Sequence, residues 1–173
     1  DISSSASTID ELDLIDSGSS IDMTMASGAT ITVAASEITE MLTDESAGRL
    51  TISDQNITVE GAISVSDANL LDATTTGTVT ATISSSSVDT LKTLTGTNAY
   101  TITIQGSDTG ITASELTTIS NATTVAIDAS AVTGLTSDTA ANIKTLLTAG
   151  NDTAQFTGAS FESLATVVVS DTT

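Results

Sequence analysis

The sequence has no proline, cysteine, histidine or tryptophan, and only three basic residues, Arg49, Lys92 and Lys144, in 173. Without cysteine there can be no disulfide and no thiol chemistry. Without cysteine and histidine, nucleophile–imidazole pairs are excluded as well. The three cations stand against 22 acids, for a net charge of -19. Phosphate contact needs clustered Lys and Arg, so nucleic acid is excluded as a partner, and an anionic membrane surface is disfavoured. The aromatics are Tyr100, Phe156 and Phe161 alone, too few for a sugar-stacking platform. No apolar run approaches the ~18 residues that span a bilayer, so no membrane insertion is expected. The opening DISSSASTIDEL has no initiator Met, basic region or apolar signal core, and is expected to be a processed product or a piece of something longer.

What remains is a Thr- and Ser-rich chain whose apolar side chains are mainly Ile, Val, Leu and Ala, 39% hydrophobic in all. Such side chains lack the bulk to fill a wide interior, and a thin core suits an elongated stack better than a sphere. The acids are scattered, which favours solubility and discourages edge-to-edge association of strands.

Order enters as a recurring spacing: an apolar residue, a second five positions on, a third eight positions on. The stretch from Ile111 to Leu135 holds it twice, as Ile111/Leu116/Ile119 and Ile127/Val132/Leu135. Further copies are Val33/Ile38/Met41, Val65/Leu70/Ala73, Ile83/Val88/Leu91 and Phe156/Phe161/Leu164. The starts lie 32, 18, 28, 16 and 29 residues apart, so long and short steps alternate. Each copy reads as a strand that ends over small residues and returns through a short helix or turn. Residues 31–173 are therefore a repeat array, and 1–30 an irregular segment or a preceding repeat. In that segment Ile9, Leu12 and Ile15 sit at helical spacing, with Ser7 or Thr8 as cap.

Alternation in ATITV (29–33), GTVTATI and YTITI predicts strands, and ITV at 57–59 another. The strongest helix is predicted over SDTAANIKTLLTAG, capped by Ser137, favoured by Asp138 at its positive end, and stopped at Gly150. Units of this kind cannot bury their apolar faces alone, so neighbours supply the core. The fold class expected is β-rich with short helices: a parallel β-solenoid-like stack of strand–turn–helix units. A β-sandwich is the alternative.

The spacing Val125, Ile127, Ser130, Val132, Leu135 is loosely similar to a leucine-rich repeat, with Ser130 where that family places Asn. SDANLL at 66–71 and SDTAANIKTLL at 137–147, with Thr/Ala/Val-rich filler, resemble the "VSDTAANI"-type repeats of very large secreted proteins of cyanobacteria and proteobacteria. These include surface-layer, adhesin-like and RTX-associated proteins. The resemblance implies an extracellular, cell-surface β-rich array; the calcium nonapeptide GGxGxDxUx is absent here.

Catalysis has little to work with, and no enzyme is expected: the pairs Asp10/Asp13 and Glu37/Glu40 read as solvated helix faces. Ca²⁺ prefers oxygen ligands. Candidates are Asp10, Asp13, Asp16 and Asp22, Asp54 with Asn56, and Asp108; none matches an EF-hand loop. Thr at alternate positions in TVTAT and TITI could line an exposed, ice- or crystal-binding face, or be ordinary strand surface. The function expected is a structural module of a bacterial cell-surface protein (surface layer, filament or adhesin stalk) that associates with itself or with other domains of one large protein. The alternative is a calcium-dependent adhesin module that binds glycan or mineral.

Overall fold

The computed structural model describes residues 6–8, 23–105, 110–150, 155–158 and 164–170. It is a mixed α/β chain of small parallel sheets and short helices, and the described strands form no closed barrel. Two compact units divide between Thr82 and Ile83.

In the first unit, β1 (Ala6–Thr8), β3 (Thr30–Ala34), β5 (Asn56–Ile63) and β6 (Val79–Ile83, reaching the division) lie side by side in that order. β2 (Met23–Thr24) and β4 (Leu50–Thr51) form a second ladder. Helix α1 (Ile38–Ser46) follows β3, and α2 (Val65–Thr74) follows β5. Pairing is parallel, Thr30↔Asn56 through Ala34↔Glu60 in one ladder and Met23↔Leu50 in the other. Both ladders are made by the same two passes of the chain, offset by nearly one number of residues. Ile31 and Val33 point inward with Ile57 and Val59, and with Val79 and Ala81 of β6. The intervening threonines point out, as the alternation requires.

In the second unit come α3 (Val88–Leu91), β7 (Ala99–Thr101), α4 (Ala113–Asn121), β8 (Ile127–Asp128), β9 (Gly134–Asp138), α5 (Ala140–Gly150), β10 (Phe156–Thr157) and β11 (Thr166–Val169). Parallel bridges join Thr103 to Asp128, and Asp128 pairs in turn with Thr157, so one row crosses three passes. β9 pairs parallel with β11. Tyr100, Ile102 and Ile104 alternate into the core, where Leu116, Ile127, Leu146 and Phe156 are also buried.

Every pairing recorded is parallel, which leaves the sandwich alternative without support. The repeat spacing holds at Val33/Ile38/Met41, Ile83/Val88/Leu91 and Ile111/Leu116/Ile119, all buried. It is displaced in one copy. Leu70 is 51% exposed and Ala73 is exposed, whereas Ile63, Ala68 and Leu71, at the same spacing two residues earlier, are buried. Ile127, Val132 and Leu135 are buried, but turns and β9 follow β8, not a helix. The helical return instead uses Asp138/Ile143/Leu146, again at five and eight. Phe156 is buried, Leu164 is half-buried, and Phe161 lies outside the described residues. So does the helical spacing Ile9/Leu12/Ile15; Ser7 and Thr8 belong to β1, paired with β3. Residues 1–30 thus contribute β1 and β2 to the first unit. Ser130 is exposed, so it is not the inward residue that the leucine-rich-repeat spacing suggests.

Candidate functional site

The polar side chains that the fold brings together form two sets, one within a pass and one between passes. The first set sits at the strand-to-helix corners. In the unit beginning at Ile111, the Thr112 hydroxyl accepts from the Glu115 N–H at 3.3 Å, and the Glu115 carboxylate accepts from the Thr112 N–H at 3.1 Å. This is a reciprocal capping box, and the residues before and four into the helix, Ile111 and Leu116, are its hydrophobic staple. At Ile63 the same positions hold Ser64 and Asp67, whose N–H donates to Ser64 Oγ at 3.1 Å, with Ala68 as the staple. At Asp138 they hold Thr139 and Asn142, whose N–H donates to Thr139 Oγ1 at 3.2 Å. The cap of α5 is therefore Thr139; Ser137 lies in β9. The spacing of five and eight is thus the staple pair plus the next residue on the same helix face. Where the +4 residue is Ala131, no box can close. Asp128 Oδ1 instead accepts from the Ser130 N–H at 3.0 Å, an Asx turn that diverts the chain to β9.

The second set follows helices α2 and α4. Thr75 Oγ1 donates to the Gln55 carbonyl at 2.6 Å and accepts from the Gly77 N–H at 2.9 Å. Thr123 Oγ1 donates to the Tyr100 carbonyl at 2.7 Å and accepts from the Val125 N–H at 3.1 Å. The next threonine repeats the contact. Thr76 N–H and hydroxyl both donate to the Ser53 carbonyl, and those of Thr124 both donate to the Asn98 carbonyl. Both units therefore use one Thr-Thr device to satisfy backbone groups that the turn takes from water.

Charged contacts are few. Lys92 Nζ lies 2.6 Å from Asp89 and 2.8 Å from Glu115, linking α3 to α4. Its hydrogen bonds to Asp89 and then Glu115 raise its pKa. Burial pushes Glu115 up, but the Lys92 hydrogen bond and those from Thr112 outweigh it and lower its pKa. Asp138 is buried at the end of β9. It accepts from the Ser114 N–H of α4 at 2.8 Å, from the Thr139 N–H at 2.7 Å and from the Asn142 amide at 2.7 Å. Burial works to raise its pKa, yet these donors, Asn142 foremost, hold it down to about 2. In the first unit Asp44 is buried and accepts from Arg49 Nε at 3.0 Å.

Of the calcium candidates, Asp10, Asp13, Asp16, Asp22 and Asp108 lie outside the described residues. Asp54 is described. Its carboxylate accepts from the Ser27 hydroxyl and from the Gln55 amide at 3.0 Å. Asn56 donates to the Gly28 carbonyl and accepts from the Thr78 N–H. Both are occupied in joining passes. Among the described residues no three His, Cys, Asp or Glu are grouped to hold a metal ion. The alternating threonines of TVTAT and TITI, Thr80 and Thr82 in the one and Thr101 and Thr103 in the other, are exposed. The half-buried Glu37 accepts from the Ala34 N–H at 3.3 Å, and Glu40 is exposed in α1.

Clefts open in the second unit among the described residues. One, ≈ 710 Å³, runs along Thr117 and Asn121 of α4 and Ala141, Lys144, Thr145 and Thr148 of α5. Another, ≈ 360 Å³, is lined by Ala140, Ile143, Lys144, Leu147, Thr148 and Val169. A third, ≈ 290 Å³, is lined by Thr97, Ser120, Asn121, Thr123, Thr124 and Gln155, and no carboxylate lines any of the three. No helix among the described residues is long and apolar enough to cross a membrane. Comparison with known proteins finds no matching family model, no matching curated protein and no matching solved structure.

The sequence reading found the apolar spacing but not the boxes within it. The signal was present: Thr112–Glu115 and Ser64–Asp67 are S/T-x-x-D/E immediately before an apolar residue. The Thr-Thr device had no such signal, because a threonine after a helix reads equally well as strand surface.

Proposed function

We propose that this chain is a structural module of an extracellular bacterial cell-surface protein, part of a layer, filament or stalk, in which successive passes stack as a parallel solenoid. The observation that carries the reading is the recurrence of the same two devices in both units. At α2 and α4 a side-chain cap opens the helix, and the Thr-Thr pair that follows fastens the chain to the pass before. A chain whose passes are fastened to their predecessors by a repeated device has no inherent limit on length. Its strand edges can be continued by a neighbour. The polar side chains that the fold positions are spent on turning the chain and on joining passes, which suits a mechanical role. The Thr/Ser-rich, cysteine-free, acidic composition and the likeness to secreted repeat proteins favour a place outside the cell.

Electron microscopy of the purified chain with and without EDTA tests the reading. Extended or end-joined particles in both conditions support it. Discrete single particles at all concentrations count against assembly. A chelator-sensitive affinity for a defined carbohydrate would replace it with a calcium-dependent adhesin.

A further inference from the structure

We propose that the outward face of the first unit's sheet binds ice, through threonine hydroxyls set in register across successive passes of the chain. This goes beyond the structural reading above and does not depend on assembly. Thr32 of β3 lies opposite Thr58 of β5 and, on its other side, opposite Thr8 of β1. The Ile57 N–H donates to the Thr78 carbonyl. In a parallel ladder that bond sets Ile57 opposite Val79, and so Thr58 opposite Thr80 of β6. One row of threonine therefore crosses four neighbouring strands. Two residues earlier the same register lines up Thr30, Asn56 and Thr78.

The fold leaves the hydroxyls of the central row unused. Thr75, Thr76, Thr123 and Thr124 spend theirs on backbone carbonyls of an earlier pass. Among the described residues, those of Thr32, Thr58 and Thr80 meet no protein partner. Thr32 and Thr58 are half-buried and Thr80 is exposed. A β-branched side chain flanked by its own kind has few rotamers left to lose, so the row is ordered before any ligand arrives.

The ligand follows from spacing and charge. Parallel strands set the hydroxyls of a row ~4.8 Å apart. A water oxygen lies about 2.75 Å from its hydrogen-bonded neighbour, and tetrahedral bonding then puts second neighbours about 4.5 Å apart. The misfit is about 0.3 Å per strand, so from Thr32 to Thr80 it grows to about 0.6 Å, small beside the bond itself. The two rows carry no charge, and an ice surface is neutral. The net charge of -19, which repels anionic partners, does not oppose it. Neither row holds an aromatic residue on which to stack a sugar ring.

The test is partition of the full chain into slowly grown ice, with thermal hysteresis measured on the same samples. Wild type is compared with Thr58→Lys, in the middle of the row, and with Thr51→Lys, at an exposed position of β4 in the other ladder. Thr80→Lys, at an exposed position of the row, asks the same question should Thr58→Lys fail to fold, and circular dichroism with a melting curve establishes which variants fold. Enrichment of wild type in the ice with a hysteresis gap, lost in Thr58→Lys and Thr80→Lys and kept in Thr51→Lys, supports the proposal. A wild type excluded from ice like an ordinary solute overturns it and leaves the structural reading standing. Enrichment that survives the lysines in the row, or that Thr51→Lys abolishes equally, takes ice binding off this face and overturns it as well.

Discussion

At the scale of single residues, the closest tolerances are where one pass touches the next. A Cβ on Gly77 would lie 2.3 Å from the Gln55 carbonyl oxygen and 2.6 Å from its carbon. Both are backbone atoms, which cannot swing aside. Gly77→Ala should therefore cost about 1–3 kcal/mol through forced backbone displacement, read by urea denaturation. Thr123 is the hydrogen-bonding counterpart. Its hydroxyl serves the Tyr100 carbonyl, the Tyr100 N–H and the Val125 N–H at once. Valine has the same shape and none of these bonds, so Thr123→Val should lose about 1–3 kcal/mol by stranding buried backbone groups, while Thr123→Ser should lose less. Asp138 gives a pH dependence. Its folded pKa of about 2 lies below the ordinary 3.8. The ionised carboxylate thus adds stability that is complete above about pH 4 and disappears as pH falls towards 2. Asp138→Asn should lower the melting temperature at neutral pH and flatten that acid limb; an unchanged limb would mean that other carboxylates carry it.

At the scale of elements, the helices are short because each is defined by its ends. α4 is nine residues long, below the length at which a helix is stable alone in water. Its cap and its buried face, Ala113, Leu116 and Ile119, have to hold it. Removing the cap by Thr112→Ala should cost about 0.5–2 kcal/mol, measured by thermal unfolding, and Thr112→Ser should restore most of it. The contrast between Ile111 and Ile127 isolates the cause. Both are buried, with apolar partners five and eight positions on. One is followed by Thr112 and Glu115 and leads into a helix. The other is followed by Asp128 and Ala131 and leads into an Asx turn. Asp138 shows a third solution: a polar residue takes the staple position, and its carboxylate satisfies the N–H groups that open α4 and α5.

At the scale of the whole molecule, a core of aliphatic side chains coexists with a large excess of negative charge. Acids that repel one another in both units oppose compaction. Raising ionic strength from about 10 to 150 mM shortens the screening length roughly threefold or more. The melting temperature should then rise by a few degrees. A fall would show that ion pairs such as Lys92–Glu115 outweigh the repulsion. The three cations do not balance the charge. Arg49 and Lys92 are used in specific bridges, and Lys144 stands at the rim of the β11 groove.

The amino-acid order alone determined the periodicity, the strand alternation at Ile31/Val33 and Tyr100/Ile102/Ile104, and the exclusion of whole classes of chemistry by missing residue types. These are local properties, written in the spacing of apolar residues or in composition. It could not choose between Ile63 and Val65 as the start of a copy, because two apolar residues two apart share a strand face and either satisfies the spacing. Nor could it foresee that Thr75 and Thr123 fasten one pass to another. A threonine's local preference is the same whether its hydroxyl faces water or a buried carbonyl; only the arrival of Gln55 or Tyr100 from some twenty residues earlier decides which.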